Sequence, residues 1–122
     1  LTPQICQELK AIRHREYHFA FDSIKDIDRV GRAIEMLNEA GLKRNTWLTL
    51  VGFDSTIEDD LARLKYLKER NQNAYVMRYN GRKDSKALNQ LSRWANNHSW
   101  FQGTTWPEFC ARNNFDPDAS FP

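Results

Sequence analysis

The stretch Thr46-Trp-Leu-Thr-Leu-Val-Gly-Phe-Asp-Ser-Thr-Ile-Glu-Asp-Asp60 decides the fold. The run from Trp47 to Val51 is β-prone and predicts a buried strand, and Gly52 lacks the Cβ that would hinder a tight turn after it. Ser55, followed three residues later by Glu58, has the pattern of a helix N-cap with a capping box. Strand, turn and helix start together form a βα unit. In parallel α/β proteins ligands bind at such turns, and the free N–H groups of the helix start suit an anion. An ordinary βα turn without a ligand fits the same residues.

Two further segments repeat this order. Residues 17–22 predict a strand, and Asp22 and Ser23 form the junction with the amphipathic helix that follows. That helix is predicted to end at Gly41, because glycine is the residue most favoured just after a helix. Residues 74–79 predict a third strand, again followed by an amphipathic helix. A helix over residues 1–16 precedes all three strands, and a short capped helix is predicted to begin near Trp106.

Alternating helices and strands predict an α/β fold with a three-stranded parallel sheet, because a parallel connection needs a crossover helix. Residues 1–122 then form a single domain, and all three strand ends lie at the same edge. Three strands alone leave both sheet edges bare, and three consecutive βα units are what half of a TIM-like barrel would look like. Its uncovered inner face is predicted to include Trp47, Val51 and Met77.

Composition limits the classes of function. The chain of 122 residues is 40% hydrophobic and 28% charged, as is typical of a globular protein. Its net charge of +2 gives no strong attraction for polyanions and argues against nucleic-acid binding. It contains no apolar run of membrane-spanning length and no signal-peptide pattern, so we expect a cytoplasmic protein. Cys6 and Cys110 have no close Cys or His neighbours, and free buried thiols are expected more than a disulfide. The first residue, Leu1, is not an initiator Met, and we expect a fragment of a longer protein.

Several segments, in this order, resemble the fourth, fifth and sixth strand units of the radical S-adenosylmethionine (radical SAM) superfamily, whose catalytic domain is a partial (β/α)6 barrel. The segments that carry the resemblance are His18–Asp26, Gly41–Lys43, Leu50–Asp59, Tyr75–Tyr79 and Leu88–Ala95. The resemblance covers nearly the whole chain and rests on the ordered combination, since no single motif is diagnostic. It implies that this chain is the C-terminal half of such a barrel.

The resemblance also implies where S-adenosylmethionine (SAM) would bind. The end of the first strand would meet the ribose or methionyl part of SAM, the middle turn would lie near the adenine, and the third strand would pack on it. The residues implied are Asp22, Ser23, Val51, Gly52, Phe53, Met77 and Tyr79. Core packing of Met77 and Tyr79, and simple capping by Asp22, remain alternatives.

Members of the superfamily hold a [4Fe–4S] cluster through a CxxxCxxC motif, which this sequence lacks. The resemblance therefore implies that a missing N-terminal half supplies the cluster. It also implies that this chain contains no catalytic or metal-binding residue and that no cofactor binds to this chain by itself. The alternative is a non-catalytic α/β module that self-associates, for example as a homodimer, through its open sheet edges or its exposed inner face.

Overall fold

Three parallel strands alternate with helices in the computed structural model, which describes residues 1–11, 18–52, 56–78 and 86–116. In chain order the described elements are α1 (Pro3–Ala11), β1 (His18–Ala20), α2 (Ile27–Glu39), β2 (Thr46–Val51), α3 (Ile57–Glu69), β3 (Asn73–Arg78), α4 (Lys86–Asn96), α5 (His98–Gly103) and α6 (Trp106–Arg112). A 3₁₀ turn, Ile24–Asp26, leads into α2. The predicted alternation is confirmed, while α5 was not predicted because it is short and has no apolar stripe of its own.

The strands form one sheet in the order β1-β2-β3, and both pairings are parallel. The α/β class and the three-stranded parallel sheet are therefore confirmed. In the register, Leu48 lies between Ala20 and Tyr75, and Leu50 lies beside Met77. The carboxyl ends of the strands consequently share one edge of the sheet.

Helix termini follow local sequence at α2. Gly41 has φ 90°, its N–H donates to the Asn38 carbonyl at 3.0 Å, and the Leu42 N–H donates to the Leu37 carbonyl at 2.8 Å. These two bonds complete a Schellman motif, which needs a left-handed residue after the helix. The prediction of a helix end at Gly41 is confirmed.

The N-cap of α3 is Thr56, and the prediction of a Ser55–Glu58 capping box is wrong. The Thr56 hydroxyl accepts from the Asp59 N–H at 3.1 Å, and α3 begins at Ile57. Ser55 and Thr56 offer similar capping hydroxyls, so the sequence alone did not determine which of the two caps the helix. The observed start places Glu58, Asp59 and Asp60 in the first turn, where the helix dipole favours negative charge.

One face of the sheet packs into the core, and the other is left largely uncovered by the described residues. The core is built from alternate strand residues and the apolar sides of α2, α3 and α4, including Phe21, Val30, Ile34, Trp47, Val51, Leu64, Leu67, Ala74, Val76, Leu88 and Leu91. The opposite side, here called the open face, consists of His18, Ala20, Leu48, Leu50, Tyr75 and Met77. On it, Tyr75 is 50% exposed and Met77 38% exposed.

The sequence predicted that Trp47, Val51 and Met77 lie together on the uncovered face of the sheet. For Trp47 and Val51 this prediction is wrong. Both are buried on the helix-covered side, at 3% and 0% exposure. Because side chains alternate along a strand, the register of Leu50 against Met77 assigns Trp47 and Val51 to the opposite face.

A helical layer of aromatic residues closes the C-terminal side of the core. The Trp94 ring lies 5.0 Å from that of Phe101 and 5.6 Å from that of Trp106, measured between centroids. The predicted short helix is α6, with Thr105 as N-cap in a capping box with Glu108. The Thr105 backbone N–H, followed by the Thr105 hydroxyl, lowers the pKa of the Glu108 carboxyl.

Both cysteines are buried and free. Burial raises the pKa of the Cys110 thiol to about 11, and the Asp116 carboxylate adds to this shift. The thiol therefore stays protonated and unreactive at neutral pH. Within the described ranges, no helix has both the length and the apolar composition needed to cross a membrane.

Candidate functional site

The carboxyl edge of the sheet brings together most of the residues that the sequence singled out. Asp22 and Ser23 follow β1, Val51 ends β2 and Gly52 follows it, and Met77 lies one residue before the end of β3. Since the strands are parallel and adjacent, these positions form one row along the edge. Phe53 and Tyr79 also belong to the predicted site, and both lie outside the described residues.

The row presents its side chains in two directions. Met77 lies on the open face beside Leu50, which is half-buried, so an apolar surface is available there. Val51 is fully buried on the helix-covered side. Because the whole residue has 0% exposure, neither its side chain nor its backbone is accessible to a ligand.

Asp22 and Ser23 have different local roles. The Ser23 hydroxyl accepts from the Lys25 N–H at 3.2 Å and caps the 3₁₀ turn. Asp22 is exposed, and its Oδ1 accepts from the Leu50 N–H at 3.4 Å. Asp22 thus contacts the backbone of the neighbouring strand instead of capping the helix that follows it, and its carboxylate keeps acceptor capacity for a ligand.

Gly52 turns the chain as predicted, with φ 79° in the left-handed region. Its N–H, however, donates to Oδ2 of Asp60 at 3.3 Å. This N–H is therefore not free to meet an anion, because a carboxylate from the first turn of α3 already accepts its hydrogen bond.

A buried ion pair that the sequence reasoning missed lies beneath this edge. Arg63 and Asp60 have side-chain exposures of 0% and 1%, and Arg63 Nη2 is 2.6 Å from Asp60 Oδ1. Arg63 Nη1 also donates to the Phe21 carbonyl at 2.6 Å, and Nη2 donates to the Leu50 carbonyl at 2.7 Å. One guanidinium thus contacts the ends of β1 and β2 from α3.

The i, i+3 spacing of Asp60 and Arg63 could have signalled a pair on one side of α3. Such pairs are usually exposed and contribute little to stability, so the spacing does not distinguish a surface pair from a buried one. Only the packing of α3 under the sheet reveals that the pair is fully buried.

No group of three or more His, Cys, Asp or Glu residues suited to a metal ion occurs in the part of the chain that the structure describes. The thiol-rich coordination that a [4Fe–4S] cluster needs does not fit these residues, since Cys6 and Cys110 are both buried and lie in different helices, α1 and α6. The edge does present an exposed carboxylate, Asp22, and an apolar surface, formed by Leu50 and Met77, at neighbouring strand ends.

A groove of about 600 Å³ lies elsewhere, between α3, α4 and α6, where Leu61, Trp94 and Trp106 supply apolar walls and Lys65 and Lys68 supply charge. The indole N–H of Trp106 is buried and has no hydrogen-bond partner among the described residues. That nitrogen is shielded from the groove, because its own solvent-accessible surface is close to zero. A molecule in the groove would therefore not reach it.

Comparison of the chain with protein-family models, with curated proteins and with solved structures gave no match.

Proposed function

We propose that this chain is the C-terminal half of the partial barrel of a radical SAM enzyme and forms part of its SAM pocket. The observation that carries the proposal is the row of strand ends, which places Asp22, Gly52 and Met77 at one edge of a parallel sheet. These are the positions at which the sequence resembles the superfamily. Ligands of parallel α/β proteins bind at this edge.

The uncovered side of the sheet supports the half-barrel part of the proposal. Parallel sheets are normally covered on both faces, whereas here the apolar Leu48, Leu50 and Met77 belong to a face that the described helices leave largely open. In a barrel the helices lie outside and the other face lines the interior. The open face would then be the wall of the barrel lumen, completed by the missing N-terminal half.

Each residue of the edge has a specific part in the proposal. The Asp22 carboxylate would accept hydrogen bonds from hydroxyl or amino groups of SAM, and the Ser23 hydroxyl would donate one, since its oxygen already accepts from Lys25. Leu50 and Met77 would provide apolar contact for the adenine, and Gly52 allows close approach of the backbone. SAM, cleaved reductively at a cluster held by the N-terminal half, would supply the radical that attacks the substrate.

The test uses the longer protein that contains these residues, reconstituted anaerobically with iron and sulfide. We expect the absorbance of a [4Fe–4S] cluster and cleavage of SAM under reduction. The Asp22→Ala variant should bind SAM about tenfold more weakly, which corresponds to about 1.4 kcal/mol. Asp28→Ala, which removes an exposed carboxylate in the first turn of α2, should bind as the unsubstituted protein does. Absence of a cluster, or of SAM cleavage, would contradict the proposal.

The second candidate function is a self-associating, non-catalytic module, and the open face favours it. Tyr75 and Met77 are both more than one third exposed there, and apolar patches of this kind drive association. The edge of β3 is less suited to self-association, because Asn96 already bonds the backbone groups of Val76 there. The Asn96 amide accepts from the Val76 N–H at 2.5 Å and donates to the Val76 carbonyl at 3.1 Å. Light scattering on the 122-residue chain discriminates, since a monomer at all concentrations would contradict self-association.

A further inference from the structure

The pairing between β1 and β2 stops before the sheet ends. The register joins Ala20 to Leu48, and the Phe21 N–H then donates to the Leu48 carbonyl at 2.8 Å. The pairing between β2 and β3 continues further, to Val51 and Arg78. At the carboxyl edge, β2 is therefore paired on one side only.

In a regular parallel ladder, a residue donates its N–H to one residue of the neighbouring strand and accepts at its C=O from the residue two positions further along that strand. The next bond of this ladder would therefore run from the Leu50 N–H to the Phe21 carbonyl. Instead, the Leu50 N–H donates to the Asp22 side chain at 3.4 Å. The Phe21 carbonyl accepts from Arg63 Nη1, at 2.6 Å. Side chains have thus replaced the ladder at its last step.

Arg63 also bonds the carbonyl of Leu50, since its Nη2 donates to that oxygen at 2.7 Å. The guanidinium is planar and presents its donors in a fixed fork, so it holds the Phe21 and Leu50 carbonyls at a set separation. Asp60 fixes the guanidinium through Oδ1 and the Gly52 N–H through Oδ2. One buried ion pair therefore connects the ends of β1 and β2 and the turn at Gly52.

We propose that Arg63 is a positioning residue that sets the width of the crevice between the ends of β1 and β2. In this crevice Asp22 and Ser23 would approach the ligand from the end of one strand, and Gly52 would approach it from the end of the next. The inference rests on the proposed function, because it identifies what holds the SAM-contacting residues of that site apart. Arg63 itself is fully buried and does not touch the ligand.

The test distinguishes a loss of SAM affinity caused by misplaced strand ends from one caused by a general loss of stability. Arg63→Lys keeps the charge but loses the planar fork, so one ammonium has to replace two donor groups with fixed directions. Leu67→Ala is the matched control, since Leu67 is equally buried on the same helix and has no place at the strand ends. Both variants are made in the longer protein, and the affinity for SAM and the thermal midpoint are measured for each.

We expect Arg63→Lys to weaken SAM binding about tenfold or more. Leu67→Ala should leave the affinity within about twofold, even though it lowers the thermal midpoint at least as much. Equal losses of affinity in the two variants at equal stability would overturn the inference. Asp60→Asn serves if Arg63→Lys does not fold, because its Oδ1 can still accept from Arg63. It should weaken SAM binding by a smaller factor, and unchanged affinity would overturn the inference.

Amide hydrogen exchange distinguishes failure of this inference from failure of the proposed function. If the unsubstituted longer protein binds no SAM, the proposed function is wrong, and the exchange rates of the Phe21 and Gly52 amides then decide the role of Arg63. Faster exchange in Arg63→Lys at these two amides, with Thr49 and Val76 unchanged, supports a local hold on the crevice. Uniform acceleration, or none, would overturn it.

Discussion

The two ends of the sheet are each held by one buried polar side chain, and the two side chains differ in kind. At the amino end Gln72, which is neutral, accepts from Trp47 Nε1 at 3.0 Å and from the Asn45 N–H at 3.2 Å. At the carboxyl end Arg63, which is charged, holds the Phe21 and Leu50 carbonyls.

Gln72 and Arg63 also differ in whether all of their polar side-chain atoms are hydrogen-bonded. Gln72 also uses its Nε2, which donates to the Lys43 and Arg70 carbonyls at 2.9 and 3.1 Å, so both ends of the amide are bonded. Arg63 leaves its buried Nε without a partner among the described residues. Buried polar groups without a hydrogen-bond partner are uncommon, and each lowers the stability of the fold. The amino end is thus organised for stability, while the carboxyl end retains an energetic cost where ligands are expected.

The largest expected effect comes from Arg63→Met. Loss of the guanidinium leaves Asp60 charged and buried and removes the donors to two backbone carbonyls, which should lower the free energy of unfolding by about 3–5 kcal/mol. Urea denaturation of the 122-residue chain measures this. Arg70→Met is the control, because Arg70 ends the same helix with its side chain 40% exposed, and should cost much less. Similar losses in both variants would remove the distinction between the buried and the exposed arginine.

At the amino end, Gln72→Met should lower the free energy of unfolding by about 2–3 kcal/mol, because it leaves the Trp47 indole N–H and the Asn45 N–H without an acceptor. The affinity for SAM in the longer protein should not change, since this end lies opposite the proposed pocket. Denaturation and SAM titration of the same variant provide both measurements. A loss of SAM affinity larger than the loss caused by Leu67→Ala would contradict the assignment of the amino end to stability.

Asn96→Leu should have a smaller effect on stability, about 1–2 kcal/mol, because it removes two hydrogen bonds from Val76 at the edge of β3. It also uncovers backbone groups that can pair with another strand. We therefore expect concentration-dependent association in light scattering, whereas Asn89→Leu, on the same helix, should not produce it. Unchanged association after Asn96→Leu would show that Asn96 does not protect this edge.

The smallest effect is expected on the open face. Met77→Ser should change the free energy of unfolding of the 122-residue chain by no more than about 0.5 kcal/mol, because Met77 is already 38% exposed. Val76→Ala, one residue earlier on the covered face, should cost about 2 kcal/mol. Urea denaturation of the pair tests the assignment of the two faces, which a large effect of Met77→Ser would refute.

Much of the fold is readable from the sequence because its signals are local. The Gly41 helix end, the capping box of Thr105 and Glu108, and the strand at Thr46–Val51 each depend on a few neighbouring residues. The α3 cap was displaced by one residue because Ser55 and Thr56 offer the same capping chemistry. The two faces of β2 were confused because Trp47 to Val51 contains almost no polar residues, so alternation left no pattern to read.

The sequence by itself determined the order of the elements, the parallel sheet that this order requires, and the edge at which Asp22, Gly52 and Met77 meet. Only the tertiary structure decided which strand residues are covered, which backbone groups remain unpaired, and what holds the ends of β1 and β2. The physical reason is that a side chain such as Arg63 satisfies carbonyls 42 and 13 residues away in sequence. No local pattern encodes those contacts, and burial of the Arg63–Asp60 pair depends on how α3 packs beneath the whole sheet.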